Sequence, residues 1–304
     1  MITRRGFLRW LAGLVALGAG TAGYAGAVEP GLRLAVQRWR VTPPGWPAGL
    51  RLRLAILADV HIGPPWVTLA RLERVVARMN ALEPDFALLL GDYVAGHHFR
   101  TADVPVAEVA RVLAGLEARH GVMGVLGNHD WWEDRTAQQL GHGPTFAHRG
   151  FEAAGVPLLE NTARRVETPG GAVWIAGLGD QIALLPGRGG RPKGWRGWRG
   201  VDDLDATLAA VTDDAPVILM AHEPDIFPRV PDRVALTLSG HTHGGQVRLF
   251  GWSPVVPSRF GNRYAWGHVV EDDRHLVVSG GLGCSIVPVR FGVPPEITVV
   301  ELGA

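Results

Sequence analysis

The stretch LRLAILADVH, residues 52–61, decides how the rest of the chain is read. Residues 52–58 are apolar apart from Arg53, and so short an apolar run reads as a buried strand. The run passes directly into Asp59-Val60-His61, and on a strand-like backbone two side chains spaced by one residue point the same way. The pattern then recurs. FALLL (86–90) runs into Gly91-Asp92, and VMGVL (122–126) into Gly127-Asn128-His129-Asp130. Between these runs, residues 68–82 and 104–118 carry apolar side chains at helical spacing. Strand, helix, strand, helix, strand predicts a parallel sheet with right-handed crossovers, and ligand sites in such sheets lie beyond the carboxyl ends of the strands. Three neighbouring strand ends would bring Asp59, His61, Asp92 and Asn128 into one crevice.

The second half has a different rhythm. Short strands are predicted at 164–167, 173–178, 217–221, 234–238, 247–250, 266–270, 275–279 and 296–302, with one helix near 202–211, which suggests a second, more antiparallel sheet. Here too apolar runs end in imidazoles. APVILMA (215–221) is followed by His222, and ALTLSG (235–240) by His241-Thr242-His243. Gly91, Gly127 and Gly240 each precede a candidate metal-binding residue, where a tight turn favours a residue without Cβ.

Bulk composition narrows the chemistry. The chain has 304 residues, enough for one large domain or two small ones; 47% are hydrophobic and 19% charged, a globular balance. A formal charge of +1 gives no reason to expect nucleic acid as a partner. One cysteine, Cys284, excludes an intramolecular disulfide and a thiolate zinc site. Twelve histidines remain, and imidazole is the commonest metal ligand.

Taken in order, ADVH (58–61), LLLGDYV (88–94), VLGNHDWW (125–132), MAHEPD (220–225) and LSGHTHGGQ (238–246) resemble the motif blocks of the calcineurin-like metallophosphoesterase superfamily. LLEN (158–161), VSGGLG (278–283) and PVRFGVPPEI (288–297) resemble its exported and membrane-associated bacterial branch, which includes enzymes similar to UDP-2,3-diacylglucosamine pyrophosphatases. The resemblance implies an α/β fold: a four-layer α/β/β/α sandwich of two mixed sheets packed face to face with flanking helices. It also implies two divalent metal ions. Asp59, His61 and His243 would hold the first, Asn128, His222 and His241 the second, and Asp92 would bridge them. His129 would protonate the leaving oxygen or stabilise the transition state, with Asp130 orienting its ring. Such a centre hydrolyses a phosphomonoester, phosphodiester or pyrophosphate through metal-bridging hydroxide. Nitrogen and oxygen donors are compatible with manganese, iron or zinc. The alternative substrate is a lipid-linked pyrophosphate of the UDP-diacylglucosamine type. A reading of another class is a non-catalytic, metal-stabilised binding module of the cell envelope.

The N-terminus stands apart. Residues 1–27 combine a basic start with a Gly/Ala-rich apolar run and read as a signal peptide or membrane anchor, with possible cleavage after Ala27. Thr3-Arg4-Arg5-Gly6-Phe7-Leu8 resembles a twin-arginine signal, which implies the twin-arginine translocation machinery as a partner and a periplasmic or outer membrane-face location. Residues 28–51 read as a linker and 52–304 as the catalytic domain. Weaker signals are His97-His98 in a loop, Trp131-Trp132 as a cleft wall or core, Asp180 at a strand end, and Cys284 as a packed residue. The basic, Trp-bearing stretch 186–200 could give the protein a membrane-surface contact or be a surface insertion.

Overall fold

The computed structural model describes residues 3–186 and 197–304, so most of the stretch 186–200 lies outside the described residues. Elements in chain order are helix α1 (Arg4–Leu32), β1 (Ala35–Val41), β2 (Leu52–Leu57), α2 (Leu69–Asn80), β3 (Phe86–Leu89), α3 (Val106–Leu113) and β4 (Val122–Gly124). Three short helices follow, α4 (Asn128–Trp132), α5 (Arg135–Leu140) and α6 (Phe146–Ala153). The second half holds β5 (Thr162–Thr168), β6 (Gly171–Gly177), α7 (Leu204–Ala209), β7 (Val217–Met220), β8 (Val234–Ser239), β9 (Gly267–Glu271), β10 (Arg274–Val278) and β11 (Glu296–Leu302).

The strands build two sheets, in the orders β1-β11-β2-β3-β4 and β5-β6-β7-β8-β10-β9. Side chains alternate across each strand and sort themselves into three apolar layers. Leu54, Ile56, Leu88, Ile218, Met220 and Leu236 fill the space between the sheets. Ala55, Leu57 and Leu89, on the other face of the first sheet, meet Leu72, Val75 and Met79 of α2 and Val109 and Leu113 of α3. Val217, Leu219 and Leu276, on the outer face of the second, meet Leu204 of α7 and Ile226 and Phe227 of a 3-10 turn. The result is the four-layer α/β/β/α sandwich of two mixed sheets. Helix boundaries obey local chemistry: Thr68 caps α2 by accepting from the Arg71 amide at 3.1 Å, and Asp203 caps α7 through the Ala206 amide at 2.9 Å.

The strands β2, β3 and β4 are mutually parallel, as their alternation with helices predicts. Elsewhere the structure departs from expectation. The second sheet is antiparallel only at its edges, β5 with β6 and β9 with β10, while β6-β7-β8-β10 run parallel. The last strand, β11, leaves that half and inserts into the first sheet, antiparallel to β2. The predicted strand at 247–250 is reduced to isolated bridges from Val247 to Phe291 and from Leu249 to Trp252.

The segment expected as linker is also part of the fold. Residues 35–41 pair with β11 in parallel over their whole length, from Ala35 opposite Glu296 to Val41 opposite Leu302. The exposed Arg40 and the buried Val41 mark an edge strand whose inner side chain reaches the inter-sheet core. Val41→Asp places an unpaired carboxylate there. Its expected cost is about 3 kcal/mol, a melting-point drop of roughly 6–12 °C for a domain this size. A thermal melt within experimental error of the parent would mean that residues 35–41 behave as linker after all.

Candidate metal centre

The carboxyl ends of β2, β3, β7 and β8 converge with the start of α4, and all seven candidate metal-binding residues gather there. Asp59, His61, Asp92, Asn128, His222 and His243 are buried, and His241 is partly so. Their backbone is not strand-like, contrary to the sequence argument. Asp59, His61, Asp92, His241 and His243 all have positive φ, at 52°, 39°, 56°, 67° and 53°. Side chains two residues apart therefore converge because the chain turns left-handed at each strand end, a conformation non-glycine residues seldom adopt. Main-chain bonds hold the turns in place. The Asp59 amide donates to Gly91 O at 3.0 Å, and the His61 amide to Asp92 O at 2.9 Å. Thr242 turns away, donating its hydroxyl to Ala265 O at 2.7 Å.

The donors form two groups that share one carboxylate. Asp59, His61 and His243 make the first, with His243 Nε2 3.4 Å from Asp59 Oδ1 and 3.1 Å from His61 Nε2. Asp92, His222 and His241 make the second, and His241 Nδ1 stands 2.9 Å from Asn128 Oδ1. Asp92 Oδ2 lies between them, 3.4 Å from His61 Nε2 and 3.3 Å from His222 Nε2. The rings are aimed from behind. Nδ1–H of His61 donates to Val94 O at 2.9 Å, of His222 to Leu90 O at 2.6 Å, and of His243 to Gly283 O at 3.3 Å. Each Nε2 is thereby turned inward, as second-layer carbonyls commonly arrange for metal-binding imidazoles.

Burial pushes the Asp59 carboxyl up to about 7 and the His61 imidazole down to about 3. It lowers His241 and His243 as well. Asp92 moves the other way: burial opposes its charge, but His222, His129 and His61 hold it well below the usual carboxylate range. Burial opposes charge on His222, but Asp92, Glu223 and Asp59 together outweigh it and hold the imidazole well above its usual value. Two neutral imidazoles with facing lone pairs, and a carboxylate that recruits positive charge, make a donor set that divalent cations fit.

His129 and Asp130 sit at the start of α4. The His129 ring lies 5.0 Å from the His61 ring and 5.1 Å from that of Trp132, and its amide donates to Asp92 Oδ1 at 2.8 Å. Burial works against its charge, yet Asp92, Glu133 and Asp130 outweigh it and the pKa rises. Asp130 does not face that ring as expected. Its carboxylate accepts from the amides of Asp92 at 2.9 Å, Tyr93 at 2.9 Å and Gly127 at 3.0 Å, tying the loop after β3 to the loop after β4. The carboxylate nearest the ring is Glu133, with Oε1 3.9 Å from His129 Nδ1.

Residues 52–245 match the sequence profile of the family described as calcineurin-like phosphoesterase. The chain belongs to this family. Among curated relatives, a Bacillus subtilis metallophosphoesterase, YkuE, is 30% identical, the match covering 99% of this chain and 98% of that protein. The Escherichia coli protein named phosphodiesterase YaeI is 29% identical over 99% of this chain and 100% of its own. A zebrafish protein named as transmembrane with a metallophosphoesterase domain is 29% identical, over 83% of this chain and 53% of its own length. This calcineurin-like phosphoesterase is thus a metal-dependent phosphoester hydrolase of a family that works with a binuclear metal centre, and its Asp/His groups could hold the metals.

Other positions divide by burial. His97 is inside, against Trp66 at 5.8 Å, while His98 is exposed. Trp131 is core, whereas Trp132 is half-buried beside His129 and Trp198. Cys284 is packed inside. Asp180 and Glu223 form a further buried group with His222, a ring nitrogen and one oxygen of each carboxylate lying within 4.8 Å of one another, and burial first, then Glu223, pushes the Asp180 carboxyl well up. Sequence reasoning assigned no role to Arg290, which is fully buried and donates to Gly283 O at 3.0 Å and to Gly280 O at 2.8 Å. Its only signal was its place inside PVRFGVPPEI.

Gly127 shows how tightly the centre is built. A Cβ there would collide with Asp92 Oδ1 and stand 2.6 Å from His222 Cε1. Gly127→Ala is expected to leave the circular dichroism spectrum unchanged while bound metal, measured by elemental analysis, falls below half that of the parent. Full metal content in the variant would show that the two loops can separate without loss of the site.

Proposed function

We propose that this protein is a two-metal phosphodiesterase. The observation that carries the reading is the position of Asp92 Oδ2, within 3.4 Å of Nε2 on both His61 and His222 and so between the two donor groups. In this reading Asp59, His61 and His243 would hold one cation and Asn128, His222 and His241 the other, with the Asp92 carboxylate available to both. When bound, two such cations supply Lewis acidity at phosphorus and lower the pKa of the attacking water.

The protein's own groups do the rest. Asp59 and Asp92 contribute two negative charges against two divalent cations, and the remaining positive charge favours an anionic phosphate. His129, next in sequence to Asn128 and partly open to the site, is the proton donor to the leaving oxygen. Glu133 stands behind its ring. Asp130 is a positioning residue, holding the amides of Asp92 and Gly127 so that the bridge and the second donor group keep their spacing. Diester preference is supported by the name of the Escherichia coli relative, phosphodiesterase YaeI. The Thr3-Arg4-Arg5 sequence supports a catalytic domain outside the cytoplasm.

Purified full-length protein loaded with manganese or zinc is expected to hydrolyse bis(p-nitrophenyl) phosphate faster than p-nitrophenyl phosphate. His129→Asn should lower kcat by roughly 10²–10⁴-fold with metal content intact, whereas Asp92→Ala should lose both metal and activity. Protein holding two metals yet inert towards monoester, diester and pyrophosphate alike would instead support a non-catalytic binding role.

Chelation supplies a separate check. If cations neutralise the buried carboxylates, saturating metal at about 100 times its dissociation constant stabilises by about 2.7 kcal/mol. The melting point should therefore rise by roughly 5–10 °C over chelator-treated protein. No shift on loading would mean that the donors do not bind metal in the folded state.

A further inference from the structure

Two adjoining cavities reach the centre, one at His241 and one at His243, and their chemistry differs. The one beside His241, of about 310 Å³, is lined by Gln181, Arg199, Asp202, Glu223, Arg229 and Arg259. The one beside His243, of about 380 Å³, is lined by Val247, Pro254, Val255, Ile286, Val287 and Val289. Pro257 belongs to both, so they adjoin. Of the residues lining the second, Val255 is 71% and Ile286 78% exposed, and the loop 247–255 that carries Val255 also bears the fully exposed Phe250 and Trp252 at 59%. A rim of that kind is unusual for a face meant only for water.

The same loops are tied to α1. The Arg290 amide donates to Ala25 O at 2.9 Å, and the Phe291 ring packs edge-on against Tyr24 at 6.1 Å. Phe291 in turn exchanges main-chain bonds of 2.8 Å with Gln246 O and the Arg248 amide, next to the apolar rim. The end of α1 is docked elsewhere too. Trp66 Nε1 donates to Gly26 O at 2.7 Å, and the Arg71 guanidinium to Pro30 O at 2.5 Å and Arg33 O at 2.9 Å. What remains, Arg4–Gly23, is 20 residues with none buried. That is about 30 Å of helix, the thickness of a bilayer's hydrocarbon core. The helix would therefore leave the bilayer near Tyr24, level with the loops that carry the rim.

We infer that the substrate is an amphiphilic phosphodiester taken from the bilayer, its acyl chain in the cavity beside His243 and its polar head in the cavity beside His241. The phosphorus then lies across Asp92, with one ester arm on each side, which a monoester could not fill. In this arrangement α1 is a retained anchor, because cleavage after Ala27 would discard Ala25 and Gly26, the carbonyls held by Arg290 and Trp66. The inference rests on the phosphodiesterase reading and adds the class of diester.

The test uses the full chain reconstituted into vesicles of phosphatidylcholine and phosphatidylglycerol containing a phosphatidylglycerol with a diazirine in its acyl chain. After irradiation, peptide mapping is expected to place label in residues 247–255 and 285–289 as well as in α1, and Ile286→Asp is expected to remove the label from both loops. The same variant should lower kcat/KM for vesicle lipid about tenfold or more relative to that for bis(p-nitrophenyl) phosphate, in line with losses in apolar pockets. Label confined to α1, or an Ile286→Asp variant that leaves the lipid-to-soluble ratio unchanged, overturns the inference. Photolabelling does not depend on turnover. A chain that labels in the loops but cleaves no soluble diester would therefore count against the phosphodiesterase reading and leave the acyl site standing.

Discussion

Asp92 is 1% exposed and holds a charge that burial opposes. A carboxylate so placed costs several kcal/mol unless positive charge and donors surround it, and the surrounding structure supplies both. One oxygen accepts from the His129 amide; the other faces His61 and His222. The amide of Asp92 is fixed in turn by Asp130, which also holds the amide of Gly127 before the next donor. The ends of β3 and β4 are therefore locked to each other by a carboxylate that need not touch metal. The buried charge sets the position of its neighbours, and those neighbours come from distant parts of the chain.

Five of the seven donors sit at positive φ. At about 1 kcal/mol or more each, such backbone strain persists only where the rest of the fold over-determines it. Here that duty falls to the three apolar layers. Leu57, Leu89, Met220 and Leu238 are all buried at the strand ends from which the turns depart. Reversal immediately after a strand also delivers side chains from both sheets into one crevice. Strain and site geometry are two consequences of the same turns, so relaxing the former would disperse the latter.

The recurrence of apolar run and polar terminus was enough to find β2, β3, β4, β7 and β8 and the polar residues that gather at their ends, because each run is short and passes directly into aspartate, glycine or histidine. Long-range pairing was harder to see. AVQRWRV at 35–41 does alternate arginine with apolar residues, but its place in a sheet depends on β11, more than 250 residues away. β11 itself carries no local sign that it inserts between β1 and β2. The DxH and HxH spacings suggested a strand where the chain is left-handed, since both backbones bring alternate side chains together. Asp130 was misplaced for another reason: the family resemblance implied a contact with the His129 ring, yet the start of a helix turns successive side chains apart and gave the carboxylate to backbone amides.

Arg290 links the features that sequence reading kept separate. Its backbone amide holds Ala25 of α1, and its guanidinium holds the carbonyls of Gly280 and Gly283. The Gly283 carbonyl also accepts from His243 Nδ1, which fixes that ring with Nε2 facing Asp59. The docking of the apolar helix and the aim of a candidate metal-binding imidazole therefore meet at one buried side chain. A buried guanidinium with carbonyl acceptors at Nε, Nη1 and Nη2 moves little, because each lost bond would leave a desolvated donor. The apolar N-terminal helix is thus held in fixed relation to the candidate metal centre.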